Sequence, residues 1–309
     1  MSILTVTLNP AIDISYQLDA FKLDTVNRVS QVRKTAGGKG LNVSRVLKEM
    51  GADVIATGFA DDILGAEIIV NLQKEDITSQ FTPIAGNTRN CIAVLHGGQQ
   101  TEILEKGPSI SAGEADTFVS NFEKMIPEVE AVVISGSMPD GLDESFYPHL
   151  IKIANAYGKK VVLDCSGSTL QTVLNSEHKP ALIKPNLEEL TDLLAKEVNL
   201  DSIQEALKKP LFEGIEWIVV SLGKDGAFAK VKDEFYRVKI PKIEVINPVG
   251  SGDSTVAGLV YGMTHHEQVE ETLKRANVCG MLNAQEAQTG HINMENYSAL
   301  FEKIEVEKL

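Results

Sequence analysis

The sequence predicts a doubly wound α/β fold, with a mostly parallel sheet flanked by helices and a small antiparallel β-sheet attached as a lid. Three observations predict it. Short apolar runs recur along the chain, amphipathic helical patterns lie between them, and two stretches break the alternation with period-2 and hairpin signals.

The apolar runs occupy residues 3–8, 54–57, 131–135, 161–164, 181–184 and 217–222. They are rich in Val and Ile without strict apolar–polar alternation, as strands buried on both faces of a parallel sheet should be. Val43, Val46, Leu47 and Met50 form a helical stripe, and Gly51 follows as a stop. Ala115, Phe118, Val119, Phe122 and Ile126 form another, preceded by a Ser111/Glu114 capping box. Strand–helix alternation of this kind defines a doubly wound fold, whose ligands sit beyond the carboxyl ends of the strands.

The lid is read from residues 12–34 and 88–106. Ile12, Ile14, Tyr16 and Leu18 alternate with Asp13, Ser15 and Gln17, a strand pattern. Residues 28–33 add a second strand. Residues 89–96, the turn Gly97-Gly98 and residues 101–104 read as a hairpin. A small sheet with apolar residues on both faces needs cover, so the lid is expected to close an active site and to pair with another subunit as a homodimer. The whole chain, 1–309, is expected to be one domain carrying this lid.

Composition narrows the function. A net charge of −14 argues against nucleic-acid or anionic-membrane partners, which need clustered Lys and Arg. Three scattered cysteines, Cys91, Cys165 and Cys279, suit a reducing compartment and have no zinc spacing. Residues 1–13 lack the features of a secretory signal, and no apolar run approaches the ~18 residues of a membrane span. A cytoplasmic location is expected.

The most informative segment is Asn247-Pro248-Val249-Gly250-Ser251-Gly252-Asp253. Its glycines permit a tight turn and a close approach, and the helix-compatible run 255–263 follows. A helix N-terminus offers unpaired N–H groups and the positive end of a dipole, which favour phosphate. Asp253 places a carboxylate inside that anion site, which makes sense for a base that takes a proton from an attacking hydroxyl. On its own the segment also reads as a Ser/Asp helix cap after a glycine turn. Neither a Walker loop nor a dinucleotide fingerprint is present.

Other candidates surround it. Ala36-Gly37-Gly38-Lys39-Gly40-Leu41-Asn42 is a second glycine-rich turn opening a helix, suited to meeting substrate hydroxyls. Asn9 and Asp13 follow the first strand, where a carboxylate can accept hydrogen bonds from a sugar. Lys184-Pro185-Asn186-Leu187-Glu188-Glu189 has capping-box spacing at Asn186/Glu189, and the same pair could hold water on Mg²⁺. Ser221-Leu222-Gly223-Lys224-Asp225-Gly226 reads as a nucleotide wall.

In their order along the chain, the Gly-Gly-Lys-Gly turn, the Asn186–Glu189 spacing and the Asn-Pro-Val-Gly-Ser-Gly-Asp segment resemble the ribokinase-like (PfkB) carbohydrate kinases. The resemblance implies a ribokinase-like sheet with a β-lid and ATP-dependent, Mg²⁺-assisted phosphorylation of a sugar hydroxyl. Residues 7–13 and Thr88-Arg89-Asn90-Cys91 fit its hexose-phosphate branch. Residues 210–217 and 280–290 look closest to the tagatose-6-phosphate kinases, which implies transfer to the 1-hydroxyl of tagatose 6-phosphate in lactose catabolism. The alternatives are a 1-phosphofructokinase and, in another class, a non-catalytic sugar-phosphate-binding regulator.

By this resemblance Asp253 is the base, and the amides of Gly250, Ser251 and Gly252 stabilise the transferring group. Asn9, Asp13, Gly37, Gly38 and Asn42 orient the sugar. Lys39, Arg89, Arg28 and Ser137 hold its existing phosphate. Lys184, Ser221, Gly223, Gly226, Asn277, Gly280 and Asn283 surround ATP, and Asn186 and Glu189 face Mg²⁺ through water.

Overall fold

The computed structural model describes residues 2–309. Its main sheet follows the order Glu305–Lys308, Glu234–Lys239, Ala227–Val231, Trp217–Ser221, Leu182–Ile183, Lys160–Asp164, Ala131–Ser135, Ser2–Thr7, Asp53–Ala60 and Thr78–Ser79, with Thr82–Pro83 also on Asp53–Ala60. All pairings from Trp217–Ser221 through to Thr82–Pro83 are parallel. The three strands beyond Trp217–Ser221 run antiparallel.

Alternating side chains feed two core layers, one on each side of the sheet. Ala131 and Val133 belong to one layer, Val132 and Ile134 to the other. This two-sided burial is why the central strands lack a polar face. The chain reverses strand order about Ser2–Thr7, so its carboxyl end opens beside those of Ala131–Ser135 and Lys160–Asp164. Thr7, Ser135 and Asp164, the last residues of these three strands, line the two cavities described below.

The lid is a separate four-stranded sheet in the order Gln31–Gly37, Ala11–Leu18, Arg89–His96 and Gln99–Leu104. Each outer pair is antiparallel, and the two central strands run parallel. Parallel pairing follows from connectivity: Asp53–Ala60 and the helix Leu64–Lys74 intervene between those strands. The expected strand at 28–33 lies a few residues later, at Gln31–Gly37, because Asn27 folds the preceding loop back onto Lys22.

Strand Gln99–Leu104 is exposed throughout, and Val32, Ile103 and Leu104 present apolar surface to solvent. Among the described residues no helix is long and apolar enough to cross a membrane.

Candidate active site

The two glycine-rich turns meet although 211 residues separate their polar members. Asn42, in the helix Lys39–Glu49, donates its Nδ2 to Asp253 Oδ2 at 2.7 Å. Asp253 lies in the first turn of the helix Ser251–Thr264, whose cap Gly250 has φ 84° and no side-chain cap. A Cβ at Gly250 would stand 2.5 Å from Thr289 Cγ2, so both the left-handed backbone and the close approach require glycine.

The helix begins four residues earlier than its apolar run suggests, and this places the carboxylate at the helix N-terminus. The amides of Gly250, Gly252 and Asp253 have no hydrogen-bond acceptor among the described residues. Ser251 departs from its expected role. Its amide donates to the Pro248 carbonyl at 3.2 Å, and its hydroxyl accepts from Asn283 Nδ2 at 3.3 Å, so it braces the turn. The amide of Asp253 takes its place among the free donors.

A cavity of about 550 Å³ opens in front of this turn. Asp13, Gly38, Lys39, Asn42, Arg89, Lys184, Asn186, Glu189, Ser221, Gly250, Gly252 and Asp253 all line it, a convergence of twelve sequence-derived candidates on one cleft. Burial, then the nearby Asp164 carboxylate, pushes the Asp253 carboxyl up to about 6, against the opposing pull of Asn42, Lys39 and Lys184. Asp13 is also raised to about 6, mainly by burial, while Arg45 and Arg89 oppose the shift. Gly37 passes so close to Asp13 that a Cβ there would lie 2.1 Å from the carboxylate.

Asp164, the last residue of its strand, bridges two lysines at 3.6 Å (Lys39) and 3.4 Å (Lys184). Burial raises its carboxyl, but the two cations more than offset that and leave it below the usual carboxylate range. Asp164 thereby holds both ammonium groups at the mouth of the anion turn. A methyl at Gly252 would sit 3.4 Å from Lys184 Nζ. Asp164 is not among the residues the motifs single out, although its place at the carboxyl end of a parallel strand is a usable signal.

A second cavity of about 240 Å³ shares Gly38, Lys39 and Arg89 with the first. Thr7, Asn9, Ser135, Gly136, Ser137, Cys165, Ser166 and Thr169 complete it. Thr7 Oγ1, Asn9 Oδ1, Ser135 Oγ and Arg89 Nε are buried without a hydrogen-bond partner. Unsatisfied buried polar atoms are costly, and their concentration in one cavity marks a place built for a polar ligand.

The remaining candidates lie elsewhere. Arg28 is exposed on the loop before Gln31–Gly37 and lines neither cavity. Gly223, Gly226, Asn277, Gly280 and Asn283 also lie outside both. Asn277 bonds back to the Leu273 carbonyl in its own helix. Gly280 is small because Thr255 Oγ1 would meet its Cβ at 2.6 Å, which lets two helices pack closely. Gly226 faces the Val238 carbonyl in the same way. Asn283 clamps the anion turn by donating to the Val249 carbonyl at 2.8 Å and accepting from the Gly290 amide at 2.8 Å.

Asn186 and Glu189 form the capping box of helix Leu187–Leu194, each side chain bonded to the other's amide. One Glu189 oxygen accepts from Asn186 N, and the other has no hydrogen-bond partner among the described residues. No cluster of three His, Cys, Asp or Glu that could hold a metal occurs among the described residues. A Glu189 oxygen outside the capping box, on the wall of the cleft, fits Mg²⁺, which keeps waters and takes substrate phosphates as ligands, and does not fit a metal needing a full protein cage.

An anion turn with an embedded carboxylate, at the carboxyl edge of a doubly wound sheet under a β-lid, defines a phosphotransferase of the sugar-kinase class. Residues 6–296 match the pfkB family of carbohydrate kinases, and the chain belongs to that family. It is an ATP-dependent sugar kinase of ribokinase-like fold.

Solved relatives agree over the full length. A candidate phosphofructokinase from Staphylococcus aureus is 32% identical, with 99% of each chain covered and a TM-score of 0.86. A candidate 1-phosphofructokinase from Thermotoga maritima is 25% identical, with 100% of each chain covered and a TM-score of 0.87. Phosphofructokinase-2 from Escherichia coli, solved with potassium, shares the fold at 24% identity and a TM-score of 0.89, covering 97% of this chain and 98% of its own. These neighbours are phosphofructokinases and do not single out the tagatose-6-phosphate branch.

Proposed function

We propose that the protein phosphorylates a ketohexose phosphate, with tagatose 6-phosphate accepting at its 1-hydroxyl as the leading substrate. The observation that carries this reading is the pair of joined cavities. The larger holds the raised carboxylate and the open helix N-terminus, and the smaller holds unpartnered polar atoms flanked by Lys39 and Arg89. A sugar phosphate spanning them would present one end to Asp253 and keep its existing phosphate in the smaller cavity.

Asp253 accepts the hydroxyl proton as the oxygen attacks the γ-phosphorus. The amides of Gly250, Gly252 and Asp253, with Lys184, stabilise charge on the transferring group, where preorganised donors act most strongly. Asp13 and Asn9 orient the sugar, and Gly37 and Gly38 let it approach the backbone. Lys39, Arg89 and Ser137 hold its phosphate. Mg²⁺ would be held by Glu189 and Asn186 through water and would neutralise phosphate charge. Ser221 borders the nucleotide end of the cleft. The exposed apolar edge of the lid supports a homodimer formed through the lid sheets.

A second reading, fructose 1-phosphate phosphorylated at its 6-hydroxyl, is favoured by the full-length likeness to the Thermotoga maritima protein. Initial rates with ATP and tagatose 6-phosphate, fructose 6-phosphate and fructose 1-phosphate separate the two. The leading reading expects the highest kcat/KM with tagatose 6-phosphate and measurable fructose 6-phosphate turnover, since one hydroxyl is discriminated modestly when no buried partner reads it. A clear preference for fructose 1-phosphate would replace it with the second.

A further inference from the structure

Arg45 is a buried guanidinium, 4% exposed, that touches neither cavity. A buried cation is costly unless its donors are used. Arg45 Nη1 donates to the Ala36 carbonyl at 2.7 Å, at the end of the lid strand Gln31–Gly37. Nη2 donates to Asn42 Oδ1 and, at 3.5 Å, to the Thr289 carbonyl. Asn42 and Arg45 are one turn apart on the same helix, so the contact is local and stiff.

Arginine has five N–H donors and no acceptor, and it stays charged. The Asn42 atom facing it must therefore be the carbonyl oxygen, and the NH₂ group is turned toward Asp253. An isolated Asn side chain could present either end to a carboxyl group. Beside Arg45 it presents only a donor, which favours the ionised, proton-accepting form of Asp253. That bond occupies Oδ2, and Oδ1 has no partner among the described residues.

We propose that Arg45 is a positioning residue for proton transfer: it locks the Asn42 amide as a donor to Asp253 Oδ2 and leaves Asp253 Oδ1 as the atom that takes the proton. The inference rests on Asp253 being the base. Its signature is electrostatic as well as structural. The charged groups facing Asp253 are Asp164, Lys39 and Lys184, and those facing Asp13 are Arg45, Arg89 and Glu102. Removing Arg45 frees Asn42 to turn its oxygen toward Asp253 and takes a cation from Asp13. Both carboxyls then hold their protons to higher pH.

The test compares kcat/KM against pH for wild type, Arg45→Met, Arg45→Lys, Asn42→Ala and the Arg45→Met/Asn42→Ala double variant, with Asp253→Asn as the reference. Arg45→Met is expected to lower kcat by up to about 10²-fold, the scale of a misplaced catalytic group, and to move the acid limb upward. Arg45→Lys keeps the charge but loses the fork. It is expected to shift in the same direction by less, and it carries the comparison if the Met variant does not fold. The double variant should lose little beyond Asn42→Ala alone, because residues acting through one another are non-additive.

A lowered melting temperature with wild-type kcat and acid limb, or fully additive losses, would overturn the proposal. If Asp253→Asn itself turns over normally, the base assignment fails. If it is inactive while the Arg45 variants keep the wild-type limb, only the role of Arg45 fails.

Discussion

Two helix N-termini face the same cleft, and their ends are satisfied in opposite ways. Helix Leu187–Leu194 closes itself, with Asn186 and Glu189 exchanging side-chain and backbone hydrogen bonds. Helix Ser251–Thr264 begins at a left-handed glycine with no side-chain cap. Its first amides, Ser251 excepted, have no acceptor among the described residues, and the Asp253 carboxylate in its first turn accepts from Asn42. The same backbone feature is thus closed by side chains at one end of the cleft and open at the other, where the proposed function has it meet an anion. The bland reading of the 247–253 segment as a Ser/Asp cap does not survive this comparison, since neither Ser251 nor Asp253 caps the helix.

The comparison can be broken by substitutions that act on one end only. At the open end, Gly250→Ala forces a left-handed alanine and a methyl against Thr289, displacing the amide donors. A loss of about 10²-fold or more in kcat is expected, the scale of a lost oxyanion donor. Near-normal steady-state turnover in a folded variant would show that the turn's shape does not matter.

A smaller effect concerns stability. Asp253 stands at about 6 in the folded protein against 3.8 for an ordinary Asp, so its ionised form opposes folding. This penalty is absent below the ordinary value and complete above about 6, where it amounts to at most about 3 kcal/mol. Asp253→Asn is therefore expected to melt higher than wild type at pH 8, with the advantage shrinking as pH falls through 6 toward 4. Equal melting temperatures across that range would mean the carboxylate is not penalised by burial.

The smallest effect belongs to the closed end. Asn186→Ala removes a cap and is expected to lower stability by about 1 kcal/mol in urea titration. A change within error there, with a large rise in the Mg²⁺ concentration needed for activity, would shift weight from the capping role to the metal role.

Much of this architecture is legible in the chain because burial leaves a pattern. Residues 131–135 read as a strand and form the strand Ala131–Ser135, since apolar residues on both sides feed both core layers. The strands Ala227–Val231, Glu234–Lys239 and Glu305–Lys308 are not legible in the same way, because Lys230, Arg237 and Glu307 interrupt the apolar signal at an antiparallel sheet edge. In the site, residue types announced Asp253, Asn42 and Lys184, but pairings across the fold did not. Asp164 between two lysines, and Arg45 behind Asn42, depend on tertiary contacts that no local spacing encodes. Glycines mislead in a different way. Gly226 and Gly280 resemble ligand-facing glycines in sequence, yet in the structure they make room for neighbouring protein atoms.

The central claim is that Asp253, raised by burial beside Asp164 at the open helix N-terminus, accepts the substrate proton. The most direct measurement is kcat of Asp253→Asn on the preferred sugar phosphate, read with ATP affinity on the same folded preparation. The account predicts a loss of about 10²–10⁴-fold in kcat. ATP should bind equally well or more tightly, because a negative charge beside the γ-phosphate is removed. Turnover close to wild type in that variant would contradict the account and leave the anion turn as a binding site whose base lies elsewhere.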